Sequence, residues 1–380
     1  TNDIANLAQQ SSGTIFEYLN ILSGGAFAQA TLFALGVSPY ITSSIVIQLL
    51  TIAIPAFERW SKEGEEGYKK MNKLTRVLTV ALGFFQACGM AWGLKMAINN
   101  PGIFSILLIA TTLTAGTVFL MWIGEQITAK GVGNGISLII FAGIVSRLPE
   151  GLQIIFQYLQ AGTVNLLNVI LFAVIALAMI VFVILISQGV RKIPIQYAKR
   201  VVGKRLYGGH SSYIPLKVNQ AGVIPIIFAS SVLMFPTTIA QFVDVPWVKT
   251  VGQWFAWGTP LQTTCYVLFI LFFTYFYTAV SLNINDMSDN IKKNGGFIPG
   301  MRPGKPTTDY LDRVMSRITL AGAIFLSLIA LMPNIIGWMT HIEGIYFGGT
   351  ALLIVVGVAL DTMKQIESLV LQRHYHGFMK

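Results

Sequence analysis

Long stretches without a single charged side chain dominate this sequence and limit what it can fold into. Residues 77–94, 96–124, 151–190 and 250–285 contain no Asp, Glu, Lys or Arg. A helix needs about 20 apolar residues to cross the roughly 30 Å hydrocarbon core of a bilayer. These continuous runs predict membrane-spanning helices, since they lack the alternation typical of barrel strands. Only 11% of the residues are charged, against about 25% in soluble domains, which excludes an ordinary water-soluble enzyme.

Nine crossings fit between the charged segments. The longest uncharged stretches have polar and glycine-rich ends, so none of them requires two crossings. The predicted fold class is an all-α polytopic membrane protein. We expect its spans at residues 36–54, 76–97, 103–124, 134–149, 164–187, 219–242, 262–283, 314–337 and 346–364.

The distribution of Lys and Arg orients these spans. All but three of the 26 basic residues fall on one side, and only Lys95, Arg147 and Lys249 fall on the other. Because basic loops stay inside, we expect an external segment at 1–35, an external linker at 150–163, and cytoplasmic segments at 188–217, 284–312 and 365–380. Since Thr1 is not an initiator Met, we expect that the sequence lacks its true start and one earlier span.

Two of the cytoplasmic loops are longer than a simple connection requires. In 188–217, basic pairs alternate with apolar residues, which predicts a protruding β-hairpin. In 284–312, the Gly-rich and Pro-rich residues 295–304 stop any helix and expose Arg302 on a rigid tip. Loops this long are usually functional. Their charge fits an anionic docking partner, either RNA phosphate or an acidic protein surface, and composition does not choose between the two.

Catalytic, metal and cofactor sites are not indicated by any motif. The four histidines lack Cys, Asp or His partners at ligand spacing, and Gly304-Lys305-Pro306 lacks the features of a phosphate-binding loop. The expected span centres carry no charge, which speaks against an ion-coupled transporter. A secondary transporter of small solutes, with its site at the Gly-Pro breaks, is the alternative function. A membrane-embedded hydrolase is a more distant one.

Six motifs, in order along the chain, carry a resemblance to a known family. They are Leu-Ser-Gly-Gly-Ala at 22–26, Ala-Leu-Gly-Val-Ser-Pro-Tyr-Ile at 34–41, Gly-Asn-Gly-Ile-Ser at 133–137, Pro-Leu-Lys-Val-Asn-Gln-Ala-Gly-Val-Ile-Pro at 215–225, Gly296 to Gly304, and Gly-Gly-Thr-Ala-Leu-Leu-Ile at 348–354. Together they resemble the SecY/Sec61α family, the channel subunits of protein secretion, and specifically its bacterial branch. The similarity runs from Ser12 to Lys380 and lacks the first transmembrane helix of the family.

The resemblance implies a pore between two inverted five-helix halves, here 36–149 and 164–364. It implies a protein-conducting channel, not an enzyme, that moves unfolded secretory polypeptides across the bacterial plasma membrane and releases membrane segments sideways into it. It also implies a set of partners. These are the SecE and SecG subunits, the SecA motor ATPase, the ribosome, signal peptides, nascent chains and membrane lipid.

Site residues follow from the family pattern in the same way. A plug helix at 12–22 is implied, with Thr14, Ile15, Phe16, Leu19 and Leu22. An apolar pore ring is implied at Ile41, Ile45, Ile140, Ile144, Ile227 and Ile354, and a lateral gate at Ser44, Gln48 and Asn219. Partner docking is implied at Lys199, Arg200, Lys204, Arg205 and Arg302. Spacing supports the ring modestly, because Ile41 and Ile45, like Ile140 and Ile144, are one helical turn apart.

Overall fold

The computed structural model of the protein describes residues 31–93, 102–162, 164–197, 200–202, 205–207, 211–230, 232–233, 247, 250, 252, 254–255, 259–340 and 349–377.

The N-terminal part of the chain is a series of helices. Turns at 32–37 precede the first described helix. The helices of this part are α1 (Ser38–Ala53), α2 (Pro55–Lys62), α3 (Glu65–Gly93), α4 (Ile103–Lys130), α5 (Gly135–Ser146) and α6 (Leu148–Gln160).

The C-terminal part combines helices with a small sheet. Its helices are α7 (Leu166–Gln188), α8 (Pro260–Ser281), α9 (Ile284–Lys293), α10 (Lys305–Thr340) and α11 (Gly349–Gly377). A further helical segment covers residues 224–230. The strands are β1 (Val190–Tyr197), β2 (Arg200–Val202), β3 (Arg205–Tyr207), β4 (Ser211–Lys217) and β5 (Gly296–Phe297).

Six helical segments of the described residues are long and apolar enough to cross a membrane, and the bent pair α1–α2 makes a possible seventh. The pair bends by 103° where Ile54 precedes Pro55, because the residue before a proline disfavours helical geometry. The expected spans 219–242 and 346–364 extend into residues outside the described ranges. The protein is therefore a multi-pass membrane protein, as the apolar runs predict.

Helices α5 and α6 form one candidate span, Gly135–Gln160, where the sequence predicts a span at 134–149 and a linker at 150–163. Arg147 joins them with near-helical angles, φ −90° and ψ −7°. Pro149 falls in the first turn of α6, where proline is tolerated because the N–H groups there have no helical acceptor. Arg147 lies inside this candidate span, as it does in the predicted span 134–149, and the helical segment continues past it to Gln160.

The loop 188–217 folds as the predicted hairpin. Strands β1 and β4 pair antiparallel in a register that joins Val190 to Lys217 and Gln196 to Ser211. Strand β5 adds to the other edge of β1, giving the order β4-β1-β5. Helix α9 lies within 284–312, where the sequence predicts a loop. Asn283 caps its start by accepting a hydrogen bond from the Asp286 N–H.

The largest apolar core lies in the C-terminal part. It joins α7, residues 226–233, α8, α10 and α11 through buried side chains such as Val183, Ile226, Ile270, Leu326 and Leu353. On α10 the core residues Phe325, Leu326, Ile329 and Ala330 follow helical spacing and form one buried face. This core holds α7, α8, α10 and α11 together.

Replacing Leu326 with Ala tests this core. Leu326 is fully buried, whereas Leu328, two residues further along the same helix, is 41% exposed. We expect Leu326→Ala to lower the free energy of unfolding in detergent by about 2 to 5 kcal/mol, because it leaves a cavity. The matched control Leu328→Ala should stay within about 0.5 kcal/mol of the parent. Equal losses in the two variants would contradict the assigned core.

Candidate functional site

An apolar cluster gathers residues from both parts of the chain, and we call it the collar cluster. Its buried members are Val37, Ile136, Ile140, Ile144, Ala351 and Ile354. Partly buried side chains pack around them: Tyr40, Ile41, Leu120, Ile139, Val223, Val355 and Val358. These residues come from the turn before α1, from α1, α4, α5 and α11, and from the segment after β4. One apolar cluster thus joins elements that are far apart in sequence.

Four of the six residues expected in a pore ring lie in the collar cluster: Ile41, Ile140, Ile144 and Ile354. The cluster does not include Ile45, which is buried one turn further along α1. Nor does it include Ile227, which is half-buried one turn after Val223. The structure therefore brings together four of the six residues expected in a ring, from α1, α5 and α11.

Val37, Ile136 and Ala351 belong to the buried part of the collar cluster, and sequence reasoning missed all three. A signal for Ile136 was available, since Ile136, Ile140 and Ile144 repeat every four residues along α5. Such spacing places all three on one helix face. Ala351 offers no comparable signal, because a small residue in an apolar helix has no distinctive pattern.

Contacts at the first turn of α5 fix the position of this helix against α4. Asn134 caps the helix, its side-chain oxygen accepting hydrogen bonds from the N–H groups of Ile136 and Ser137 at 3.1 and 3.2 Å. The Gly135 N–H donates to the Thr128 hydroxyl of α4 at 2.9 Å. A Cβ at Gly135 would overlap the carbonyl oxygen of Gly124 on α4. Glycine is therefore required for this close approach of the two helices.

The collar cluster is chemically inert. Except for the Tyr40 hydroxyl, its side chains are hydrocarbon, so they can exclude water and ions but cannot bind them by charge. In the part of the chain that the structure describes, no group of three or more His, Cys, Asp or Glu residues could hold a metal ion. Apart from the Tyr40 hydroxyl, the cluster contains no group that could act in acid–base, nucleophilic or metal chemistry.

The predicted gate residues occupy different environments. On α1, Ser44 is half-buried and Gln48 is exposed, one turn apart on the same face. The Asn219 side-chain oxygen is buried and has no hydrogen-bond partner among the described residues. Asn219 lies near α10 at Gly322, where an added Cβ would come within 2.6 Å of the Val218 carbonyl oxygen. A buried amide oxygen without a partner is costly.

The plug residues Thr14, Ile15, Phe16, Leu19 and Leu22 lie outside the described residues. So do Lys199 and Lys204 of the predicted docking set. Arg200 begins β2 and Arg205 begins β3, but their side chains are not among those described. The prediction at these positions therefore stays a prediction.

The two long loops, expected as separate features, pack into one body, which we call the basic platform. Ile193, Ile195 and Leu216 of the hairpin are buried against Ile291 of α9 and against α10. The α10 residues in this contact, Leu311, Val314, Met315 and Ile318, are spaced as one helix face. Ile298, from the turn after β5, is 3% exposed and belongs to the same cluster. The platform therefore has a shared apolar core under its charged surface.

Arg302 is exposed on this platform. The turn that carries it is held by the buried Ile298 and by a hydrogen bond from the Met301 N–H to the Ile298 carbonyl at 3.0 Å. The Thr307 hydroxyl donates to the Arg302 carbonyl at 2.9 Å. On the hairpin, the Lys192 ammonium lies 4.7 Å from the centre of the Tyr213 ring, within cation–π range. Cationic groups thus stand on a rigid support.

Fold and site together define a class, a polytopic helical membrane protein with an apolar cluster that joins distant helices and with a basic surface. The chain matches the SecY family over residues 31–363. It is 49% identical to protein translocase subunit SecY of Halalkalibacterium halodurans, covering 96% of this chain and 88% of that protein. The Escherichia coli K12 subunit of the same name is 43% identical, with 99% and 87% covered. The Bacillus subtilis one is 47% identical, with 98% and 90% covered.

Solved structures agree with these relatives in fold. A structure described as a protein-conducting channel has a TM-score of 0.64 at 20% identity, covering 97% of this chain and 90% of that one. Sec61 in a canine ribosome-channel complex has a TM-score of 0.59 at 17% identity, with the same coverage. The chain belongs to the SecY family. It is accordingly a protein-conducting channel subunit and not an enzyme, and no finding supports the alternative of a solute transporter.

The basic platform predicts that its two loops lose order together. Replacing Ile195 with Ala removes buried contacts shared by the hairpin, α9 and the turn after β5. We expect faster amide hydrogen exchange both in β4 and in residues 296–304, measured by mass spectrometry. The neighbouring Gln196 is exposed, and Gln196→Ala serves as the control with unchanged exchange. Faster exchange confined to the hairpin would contradict a shared core.

Proposed function

We propose that this chain passes unfolded secretory polypeptides through the collar cluster and across the bacterial plasma membrane, and that it releases membrane-protein segments sideways into the lipid. The observation that carries this proposal is the meeting of Ile41, Ile140, Ile144 and Ile354 from three separate helices. The names of the relatives support the same activity. The basic segments then face the cytoplasm, as the positive-inside rule predicts.

The chemistry of the collar suits such a path. Branched apolar side chains close a narrow opening by dewetting, which stops ions without a charged barrier. They offer no hydrogen bonds, so they do not prefer one polypeptide sequence over another. A chain that enters replaces the contacts the isoleucines make with each other, and this shifts the equilibrium from closed to open. Ile45 and Ile227, at the margins of the cluster, complete the proposed ring.

Lateral release uses the seam between α1 and the span that begins at Asn219. A signal sequence has an apolar core of 7 to 15 residues, which can cover the apolar faces exposed when the seam opens. Ser44, Gln48 and Asn219 are the polar residues that we assign to this seam. The unpaired oxygen of Asn219 supports the assignment, because opening would give it water as a partner and relieve a cost of the closed state. The plug at 12–22 seals the outer side in this proposal.

Partners dock on the basic platform. Its rigid apolar core and exposed cations fit the acidic surface of a motor ATPase such as SecA, or the phosphates of ribosomal RNA. We assign Lys199, Arg200, Lys204, Arg205 and Arg302 to this contact. One structural neighbour is described as Sec61 in a ribosome-channel complex, which supports the ribosome as one of the two partners. SecE and SecG complete the proposed assembly.

The collar predicts an ion leak when its isoleucines are removed. In the triple variant Ile41→Gly, Ile144→Gly and Ile354→Gly, we expect higher small-ion conductance in reconstituted vesicles and looser signal-sequence selectivity, because the dewetted opening widens. The control replaces three exposed isoleucines, Ile170, Ile324 and Ile335, with Gly. It carries the same helix penalty of about 1 kcal/mol per residue. A leak equal to that of the control would remove the collar from the path.

Reversing one charge of the platform tests docking. We expect Arg302→Glu to reduce translocation driven by an added motor ATPase in proteoliposomes, because it repels an acidic partner. The folded state should be retained, since the side chain is exposed. Lys130→Glu is the matched control, because it changes the same charge on an exposed residue at the end of α4. Normal export by the Arg302 variant would take this residue out of the docking surface.

A further inference from the structure

A groove opens between the inner face of the hairpin and α9, and we call it the platform groove. Its volume is about 420 Å³, within the range of roughly 300 to 1,000 Å³ that is usual for ligand sites. The floor is apolar and includes Tyr197, Ile214, Leu282 and Met287. These four side chains pack only partly against the core of the basic platform, so they keep apolar surface that a ligand can cover.

One wall of the groove is a polar face of α9. Asp286, Asn290 and Asn294 line it at intervals of four residues, which places them on one helix face. The Asn290 and Asn294 side chains are exposed, and each amide can both donate and accept hydrogen bonds, as a peptide backbone does. The wall is about 12 Å long by helical rise. About four residues of an extended peptide have that length.

The charge of the groove differs from that of the platform around it. Asp286 is the one charged side chain among the residues that line it. The Asp286 carboxylate is exposed, and it forms no ion pair within the described part of the chain. Lys292 and Lys293 lie about 9 to 10 Å further along α9, where salt screens exposed charges. The groove therefore complements a cation that is followed by apolar side chains.

Signal sequences have this chemistry, because a positively charged n-region precedes their apolar core. The position of the groove suits them too. Ile214 of the floor lies on β4, which ends two residues before Asn219, the start of the proposed seam. The five residues from Ile214 to Asn219 span at most about 17 Å. A sequence held in the groove is therefore within reach of the seam.

We propose that the platform groove is a cytoplasmic binding site for the n-region and the first apolar residues of a signal sequence. Asp286 pairs with the cation, and the floor covers the apolar side chains. The inference rests on the proposed function, because it needs signal sequences as ligands and the basic platform on the cytoplasmic side. Exposed ion pairs contribute little, so the site binds weakly and releases the sequence to the seam.

A charge exchange between protein and peptide tests the groove. The full chain with its partner subunits is placed in phosphatidylcholine vesicles, with a photoreactive residue at Met287 in the groove or at Gln48 in the seam. One synthetic signal peptide carries lysines in its n-region, and a second carries glutamates. We expect Asp286→Lys to weaken crosslinking of the lysine peptide at 287 severalfold and to strengthen that of the glutamate peptide. The matched control Asp312→Lys, an exposed residue outside the groove lining, should change both much less.

The outcomes separate the groove from the proposed function. Crosslinking at Gln48 without crosslinking at Met287 would overturn the groove and leave the function in place. Crosslinking at neither position would overturn the proposed entry of signal sequences, and the groove with it. If Asp286→Lys loses both peptides, Asp286→Asn decides, since unchanged binding of the lysine peptide in that variant contradicts the proposal. Crosslinking of Met287 to an added motor ATPase, and not to the peptide, would assign the groove to that partner and overturn it as a signal-sequence site.

Discussion

The close contact between the end of α4 and the first turn of α5 is the constraint on which the site depends. Gly124 and Gly135 allow the two backbones to touch, and the Thr128 hydroxyl fixes their register by accepting the Gly135 N–H. The register decides the level at which Ile140 and Ile144 meet Ile354 of α11. A single Cβ at Gly135 would push α5 away from α4, and the collar cluster would lose the contacts of Ile136, Ile140 and Ile144.

Much of the fold follows from the sequence because membrane insertion depends on composition. Continuous apolar runs give the helices, and the alternating loop 188–217 gives the hairpin. Helix α9 was harder to foresee, since seven of its ten residues are polar or charged and its deeply buried apolar residue, Ile291, is covered by elements distant in sequence, the hairpin and α10. The continuation of α5 into α6 was also missed, because Pro149 and the charged Arg147 and Glu150 resemble the end of a span in the sequence, whereas the structure keeps residues 148–160 helical.

The apolar collar cluster could be predicted only in part, because its members come from helices that are far apart in sequence. Helical spacing shows that Ile41 and Ile45, or Ile140 and Ile144, share a face, but it does not show which faces meet across the molecule. Tertiary packing decides which faces meet. Among the described residues, the cluster includes Val37 and Ala351 but not Ile45 or Ile227. Helical spacing alone would also have predicted that the α5 face of Ile140 and Ile144 stays apolar, whereas the structure has the buried Arg147 on it.

The three-stranded arrangement β4-β1-β5 has a mechanical consequence. Its buried face rests on Leu311, Val314, Met315 and Ile318, and the helix that carries these residues continues into the large core around Leu326 and Ile329. One continuous helix, α10, therefore connects the sheet to the core of the second half of the chain. In the proposed function, a partner that docks on the sheet is coupled to that core through α10, without contacting it.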